Sequence, residues 1–406
     1  MPTTAEYLQR LVQAKTDIAT AITNKGGTVN SGDGLEEFPA DIATIPTGGG
    51  GSVEEKDVNF YDYDGTCIYS YTAQEFLALT EMPANPTHEG LTAQGWNWSL
   101  SDAQTYVTSY KVLDIAQKYI SASGDLEIYV TVPSDKLDIS LNCMLGRTGG
   151  LQGTAEVDWG DDTTPDTIAG SPGTLITKDH SYAQAGNYII KVSYVTATVF
   201  SADAYGSAGV GLIASANYLQ QTSTVNASYR SLITKIICGN GVFNVRSNSN
   251  IGSLSDCTNL IYIIGEIGSV TDYSFRNSVK LSGIILISQF IYDYTHIFEN
   301  CKSLKNVIIG NYTYTKIPAN AYQYCWALDH IIVGNTVTSI GTQALQGLST
   351  VKYIKFIPST PPSLNSSADI SNLAPNCILY VPTGSLSDYT SASYYPSSST
   401  YTYVEY

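Results

Sequence analysis

The sequence predicts a multidomain, mainly β protein that ends in a solenoid of stacked repeats. One short phrase carries most of this: a small residue, two further residues, then Leu or Val. It reads Cys257-Thr-Asn-Leu260, Ser278-Val-Lys-Leu281, Cys301-Lys-Ser-Leu304 and Cys325-Trp-Ala-Leu328, with a weaker copy at Leu348-Ser-Thr-Val351. The starts at 257, 278, 301, 325 and 348 lie 21, 23, 24 and 23 residues apart. A second observation is the apolar run after each phrase: Ile263-Ile264, Ile284-Ile285, Val307-Ile308-Ile309 and Ile331-Ile332-Val333. A repeat of about 20–29 residues with one short strand each is the mark of a solenoid. No copy buries its apolar face alone, so neighbours must stack and share a core. Third, Leu126, Ile128, Val130 and Val132 alternate with other residues, as do Leu137, Ile139 and Leu141, which predicts strands upstream of the repeats.

A large apolar or aromatic residue stands three places before four of the phrases, at Phe275, Phe298, Tyr322 and Leu345. Asn335-Thr-Val-Thr-Ser-Ile340-Gly forms a second phrase, and Thr313-Tyr-Thr-Lys-Ile317-Pro a looser copy of it. Together these resemble leucine-rich repeats of the BspA type. Ile378-Leu-Tyr380-Val-Pro382, with Tyr389 beyond it, resembles the closing element of such arrays. The resemblance implies a C-terminal leucine-rich-repeat solenoid over 229–406, with an edge strand in its Ser- and Tyr-rich tail. It implies adhesion or display in general terms and no particular ligand.

Composition narrows the function classes. The chain has 406 residues, enough for two to four domains. Its net charge of −16 opposes nucleic acid and anionic membranes as partners. No apolar run approaches the roughly 18 residues of a membrane span, so no membrane insertion is expected. The N-terminus lacks a basic region followed by an apolar one, so no signal peptide is expected.

Residues 1–52 read as a helical anchor and linker. Leu8, Leu11, Val12, Ile18 and Ile22 fall on one helical face, and Lys25-Gly26-Gly27 ends the helix. Phe38 belongs to a second short apolar segment, and Gly48 to Ser52 is a flexible linker. A lone amphipathic helix has no core of its own, so Leu8, Leu11, Ile18, Ile22 and Phe38 are expected to anchor or oligomerise the chain, a trimer being favoured. The alternative is docking on the next domain.

Residues 53–123 read as a small α+β module. Two alternating strands flank Tyr63-Asp64-Gly65, an Asp-Gly turn. Thr72 and Glu75 form a capping box, a second helix starts near Ser101, and Trp96 or Trp98 fills the core. The wording of both N-terminal segments resembles tail and fibre proteins of phages from gut bacteria. In residues 124–198, Val157-Asp158-Trp159-Gly160-Asp161-Asp162, His180-Ser-Tyr182 and Gly186-Asn-Tyr188 resemble the PKD domain, an Ig-like β-sandwich. Asp162 stands where that family has glycine. Asp158, Asp161 and Asp162 are candidate cation ligands, but Asp161 and Asp162 as turn residues bonding their own backbone is the preferred reading. Residues 199–228 read as a loop and linker.

Nothing in the sequence spells catalysis. The four histidines lie in no metal or nucleophile motif, and no phosphate or dinucleotide fingerprint occurs. Stacked Cys257, Cys301 and Cys325 read as small buried apolar residues rather than disulfides or ligands. The expectation is therefore a phage virion protein with no enzymatic activity and no cofactor or metal: a tail fibre or receptor-binding adhesin. Its N-terminal segment would bind other virion proteins, the PKD-like sandwich would be a spacer, and the solenoid would meet a host surface glycan or protein. A head fibre or capsid decoration protein is the near alternative; a bacterial surface adhesin and, behind it, an enzyme on host glycans are the distant ones. The repeat positions are core, so recognition falls to residues between them: Tyr292, Tyr294, Tyr312, Tyr314 and Tyr324.

Overall fold

The computed structural model describes residues 56–406, apart from 148–149, 203–210, 217–227, 249–250, 289–293 and 310–313, together with Lys15. Strands dominate, with three short helices among the described elements beyond residue 55. The N-terminal anchor residues Leu8, Leu11, Ile18, Ile22 and Phe38 lie outside the described residues.

The hairpin expected around Asp64-Gly65 forms from β1 (Val58–Tyr61) and β2 (Cys67–Tyr71), with Val58 opposite Tyr71. Gly65 takes φ +84°, a conformation the turn needs and side chains resist. Helix α1 (Ala73–Leu77) starts at Thr72, whose hydroxyl accepts from the Glu75 amide while the Glu75 carboxylate accepts from the Thr72 amide. After β3 (Leu91–Trp96), α2 (Leu100–Tyr110) is capped by Ser99, and β4 (Leu113–Ser121) closes the sheet in the order β2-β1-β4-β3. Both helices cover one face, where Phe60, Phe76, Trp96 and Val107 are buried. Trp96 fills the core and Trp98 packs beside it, half-buried.

Beyond β4, two sheets enclose one apolar core. The first begins with β5 (Leu126–Val132), β7 (Gly153–Asp158), β8 (Asp166–Gly170) and β10 (Gly186–Tyr194). The second contains β6 (Asp138–Gly146), β9 (Ile176–Ser181), β11 (Val199–Ala202) and β12 (Ile213–Ser215). Strands β11 and β12 lie in the stretch expected to be a linker. Phe200, Ala202 and Ile213 are fully buried there, and that burial holds the segment to the sheet. Trp159 is buried between the sheets; its indole stacks on His180 at 4.5 Å and donates to Asp166 at 2.9 Å.

The repeats grow directly from these two sheets. Strand β13 (Ile233–Ile237) lies antiparallel to β5, placing Ile236 beside Ile128. Strand β14 (Val242–Val245) runs parallel to β11, and the rings of Phe200 and Phe243 stack across that pair. A small pair, β15 (Ser247–Asn248) and β16 (Ile251–Gly252), follows. The front of the solenoid is then parallel throughout: β17 (Tyr262–Ile264) on β13, and β22 (His330–Val333), β24 (Tyr353–Phe356), β25 (Ile378–Val381) and β26 (Thr402–Glu405) in sequence. Strands β18 (Glu266–Val270), β19 (Gly283–Ile287) and β20 (Leu304–Ile309) extend the second sheet, and β21 (Lys316–Ile317) pairs with β23 (Ser339–Ile340). Helix α3 (Leu386–Ser391) closes the array by burying Tyr389, whose hydroxyl donates to the Pro358 carbonyl at 2.6 Å. One apolar cluster therefore runs from Leu126 to Tyr389, and residues Lys56–Tyr406 form one compact unit.

The repeat phrase has a physical explanation in this stack. Phe275, Phe298 and Tyr322 stack at 5.3 and 5.8 Å along the axis. The thiols of Cys301 and Cys325 donate to the carbonyls of Phe275 and Phe298, each at 3.0 Å. Asn277 and Asn300, which take left-handed φ, bridge repeats by donating to Asp256 and Asn277, each at 2.9 Å. Burial pushes the Cys257 thiol up to about 12 and raises those of Cys301 and Cys325 as well. No disulfide joins any of the seven cysteines, and Cys67 alone is exposed. A thiol-reactive dye should therefore label one cysteine in the native protein and seven after denaturation; rapid labelling of several would contradict the stacked placement.

Candidate binding groove

The α+β module does not stand apart from the repeats. The sheet face opposite its helices lies on the solenoid, with Ala116 packed among Ile284, Leu286 and Ile308, and Tyr119 among Ile237 and Ile264. Gly283 sits under the hairpin: its neighbour Ile284 donates to the Tyr63 carbonyl at 3.0 Å, and a Cβ on Gly283 would lie 2.3 Å from that oxygen. Its φ of +74° excludes larger residues on a second count. The outer face of the repeat strands is thus covered from within the chain.

A buried ion pair fixes this docking. His330 of β22 and Asp114 of β4 meet at 2.5 Å, both nearly inaccessible, and Asn306 also donates to Asp114 at 3.2 Å. Tyr61 and Tyr353 stack on the two faces of the imidazole. Burial opposes a charge on His330, but Asp114 beside it and Asp329 at 3.6 Å outweigh burial and raise the imidazole to about 9. At neutral pH the ring is cationic. At the far edge, buried Lys355 reaches Asp57 at 3.3 Å and lies 4.2 Å over the Tyr406 ring.

Beside this contact a groove of about 590 Å³ opens between the hairpin tip and the turns of the repeats. The repeat period builds it. Equivalent positions of successive copies stand in columns, so Lys302 lies next to Trp326, and Lys305, Asp329 and Lys352 form the next column. The Lys302 ammonium sits 4.2 Å from the centre of the Trp326 ring, which keeps 44% of its surface exposed. Lys352 pairs with Asp329 at 2.6 Å, and Lys305 donates to the Asp64 carbonyl at 3.1 Å. His330 first and Lys352 second hold the Asp329 carboxyl down at about 2, against its partial burial. Lys302 and Lys305 meet no carboxylate among the described residues, and the groove walls carry an excess of positive charge.

The expected tyrosines fall in different places. Tyr292 and Tyr312 lie outside the described residues. Tyr294 is half-buried against the solenoid core. Tyr314 is wedged between that core and the module's core, and burial pushes its phenol up. Tyr324 is exposed and shares a turn with Trp326. The groove residues Lys302, Lys305 and Lys352, and Trp326 at its rim, were not singled out from the sequence, although aligning the phrases by period places them in adjacent columns. Asp158 and Asp161 are engaged locally: Asp158 accepts from the Gly160 amide, and Asp161 accepts from Thr163 and pairs with His180 at 2.8 Å.

A second hollow of about 420 Å³ lies where β4 meets the second sheet, with Lys118 and Glu266 in its wall. Burial raises the Glu266 carboxyl, against the opposing effect of Lys118. No exposed large aromatic lines this hollow, whereas the exposed Trp326 stands at the rim of the first groove under Lys302, which makes that groove the stronger candidate for recognition.

Residues 232–368 match the family model of the BspA type leucine rich repeat region in six copies. The match begins ahead of the first phrase, just before β13. No curated protein and no solved structure matches the chain.

Proposed function

We propose that the protein is a non-enzymatic adhesion protein that binds a surface component through the groove and the Tyr324–Trp326 turn. The exposed Trp326 beside Lys302 carries this reading, because a large exposed aromatic next to a cation gives contact area with little entropy lost. Repeats of the BspA type are often surface adhesin-type modules, which supports it. The histidines support it too: His88, His180, His296 and His330 each pair with a carboxylate of the fold and so hold structure rather than face a substrate. The finer reading is a phage virion protein, a tail fibre or receptor-binding adhesin, and it rests on the wording of residues 1–123. In it the N-terminal segment attaches a homo-oligomer, favoured as a trimer, to other virion proteins. Residues 124–198 are a PKD-like, Ig-like sandwich that caps the first repeat as well as spacing it. A head fibre or capsid decoration protein uses the same parts, and a bacterial surface adhesin uses all but the anchor. Immunogold electron microscopy of particles and of host cells separates these. Label on tails is expected; label on heads selects the decoration reading, and label confined to the cell surface removes the virion assignment.

A further inference from the structure

We propose that the groove beside Trp326 takes an acidic saccharide, one bearing carboxylate groups; this rests on the adhesion reading above. The chain carries 36 acidic against 20 basic side chains, so a groove walled by Lys302, Lys305 and Lys352 with a single exposed acid, Asp329, departs from its surroundings. Lys302 and Lys305 have no carboxylate partner among the described residues, and both line the groove from one repeat. A ligand carboxylate supplies the missing counter-charge, and charge-assisted hydrogen bonds are the strong ones. At the rim of the groove the exposed part of the Trp326 ring offers an apolar platform for the C–H face of a sugar, with Ser303 in the wall as a hydroxyl partner. A polyanion of high charge density is disfavoured by the net charge of −16, which repels it at long range while the groove attracts a sparse acid locally.

The test uses the full chain and three probes: a uronic-acid oligosaccharide, the same oligosaccharide after carboxyl reduction, and a polyglutamate peptide. The acidic oligosaccharide is expected to bind at least about tenfold tighter than its reduced form, a preference that shrinks as salt rises. Replacing both Lys302→Gln and Lys305→Gln should bring the acidic affinity down to that of the reduced probe, with an unchanged thermal midpoint showing that the fold is kept. Equal affinity for both oligosaccharides, a preference that survives the double substitution, tighter binding of polyglutamate, or no binding of any saccharide overturns the proposal. Adhesion of the chain to host surfaces is read separately, so a protein that adheres without preferring the acid sinks this inference and leaves the proposed function standing.

Discussion

Replacing His330 with alanine is expected to destabilise the protein by about 3–5 kcal/mol, the usual cost of leaving a buried charge without its partner. Asp114 would then be stranded in the contact between the module and the repeats, 5% exposed and held only by Asn306. Asp114→Ala should cost less, because Asp329 at 3.6 Å still faces the cationic imidazole. The double substitution should cost less than the sum of the two, since neither charge then remains unpaired. The same pair sets a pH dependence. The folded state raises His330 to about 9 from an ordinary 6.5, so it binds the proton more tightly than the unfolded chain does. Its contribution is complete below about pH 6.5, declines above it, and is lost as pH rises through about 9. Chemical denaturation between pH 6 and 10 should therefore show stability falling on the alkaline side, with a flatter profile in the double variant. An identical slope in both would remove His330 as the cause.

Phe298→Ala should be comparably severe, at about 3–5 kcal/mol. Phe298 is fully buried between Phe275 and Tyr322, and its carbonyl accepts from the Cys325 thiol. The cavity opens in the middle of the stack, where the neighbours above and below stack on no other ring among the described residues. In a solenoid each repeat is held by the next, so loss at one position weakens the interfaces on both sides. Because the apolar cluster runs unbroken from Leu126 to Tyr389, residues 56–406 should still unfold in one transition, shifted to lower denaturant. A separate early transition for the part preceding residue 229 would contradict the shared core.

The solenoid was legible in the sequence because its period repeats the same physical requirement at each turn. An aromatic ring stacks, a small donor reaches the backbone carbonyl of the preceding aromatic residue, and an apolar strand follows. The hairpin at Asp64-Gly65 and the box at Thr72 and Glu75 were legible because each is a local motif whose partners lie within a few residues. What could not be read was contact across long separations. The two sheets of residues 126–202 continue into the repeats through β5–β13 and β11–β14, pairs set by packing rather than by any local signal. The docking of Asp114 on His330 spans 216 residues. That docking also explains why Tyr314 is a poor surface residue: it fills the seam between the two cores. Trp326 and the lysines were half-legible, since the columns follow from the period while the hairpin that makes them a groove does not.

The most direct test is adhesion of the full chain to host surfaces with and without the indole at position 326. Trp326 is exposed and outside the core, so Trp326→Ala should leave the thermal midpoint within about 1 °C of the parent, corresponding to a surface change of a few tenths of a kcal/mol. Tyr324→Ala beside it serves as the second probe of the same turn. Loss of at least about tenfold in surface binding by Trp326→Ala, with the fold intact, is the result expected from a binding site in the groove. Undiminished binding by both variants would place the recognition surface elsewhere on the molecule.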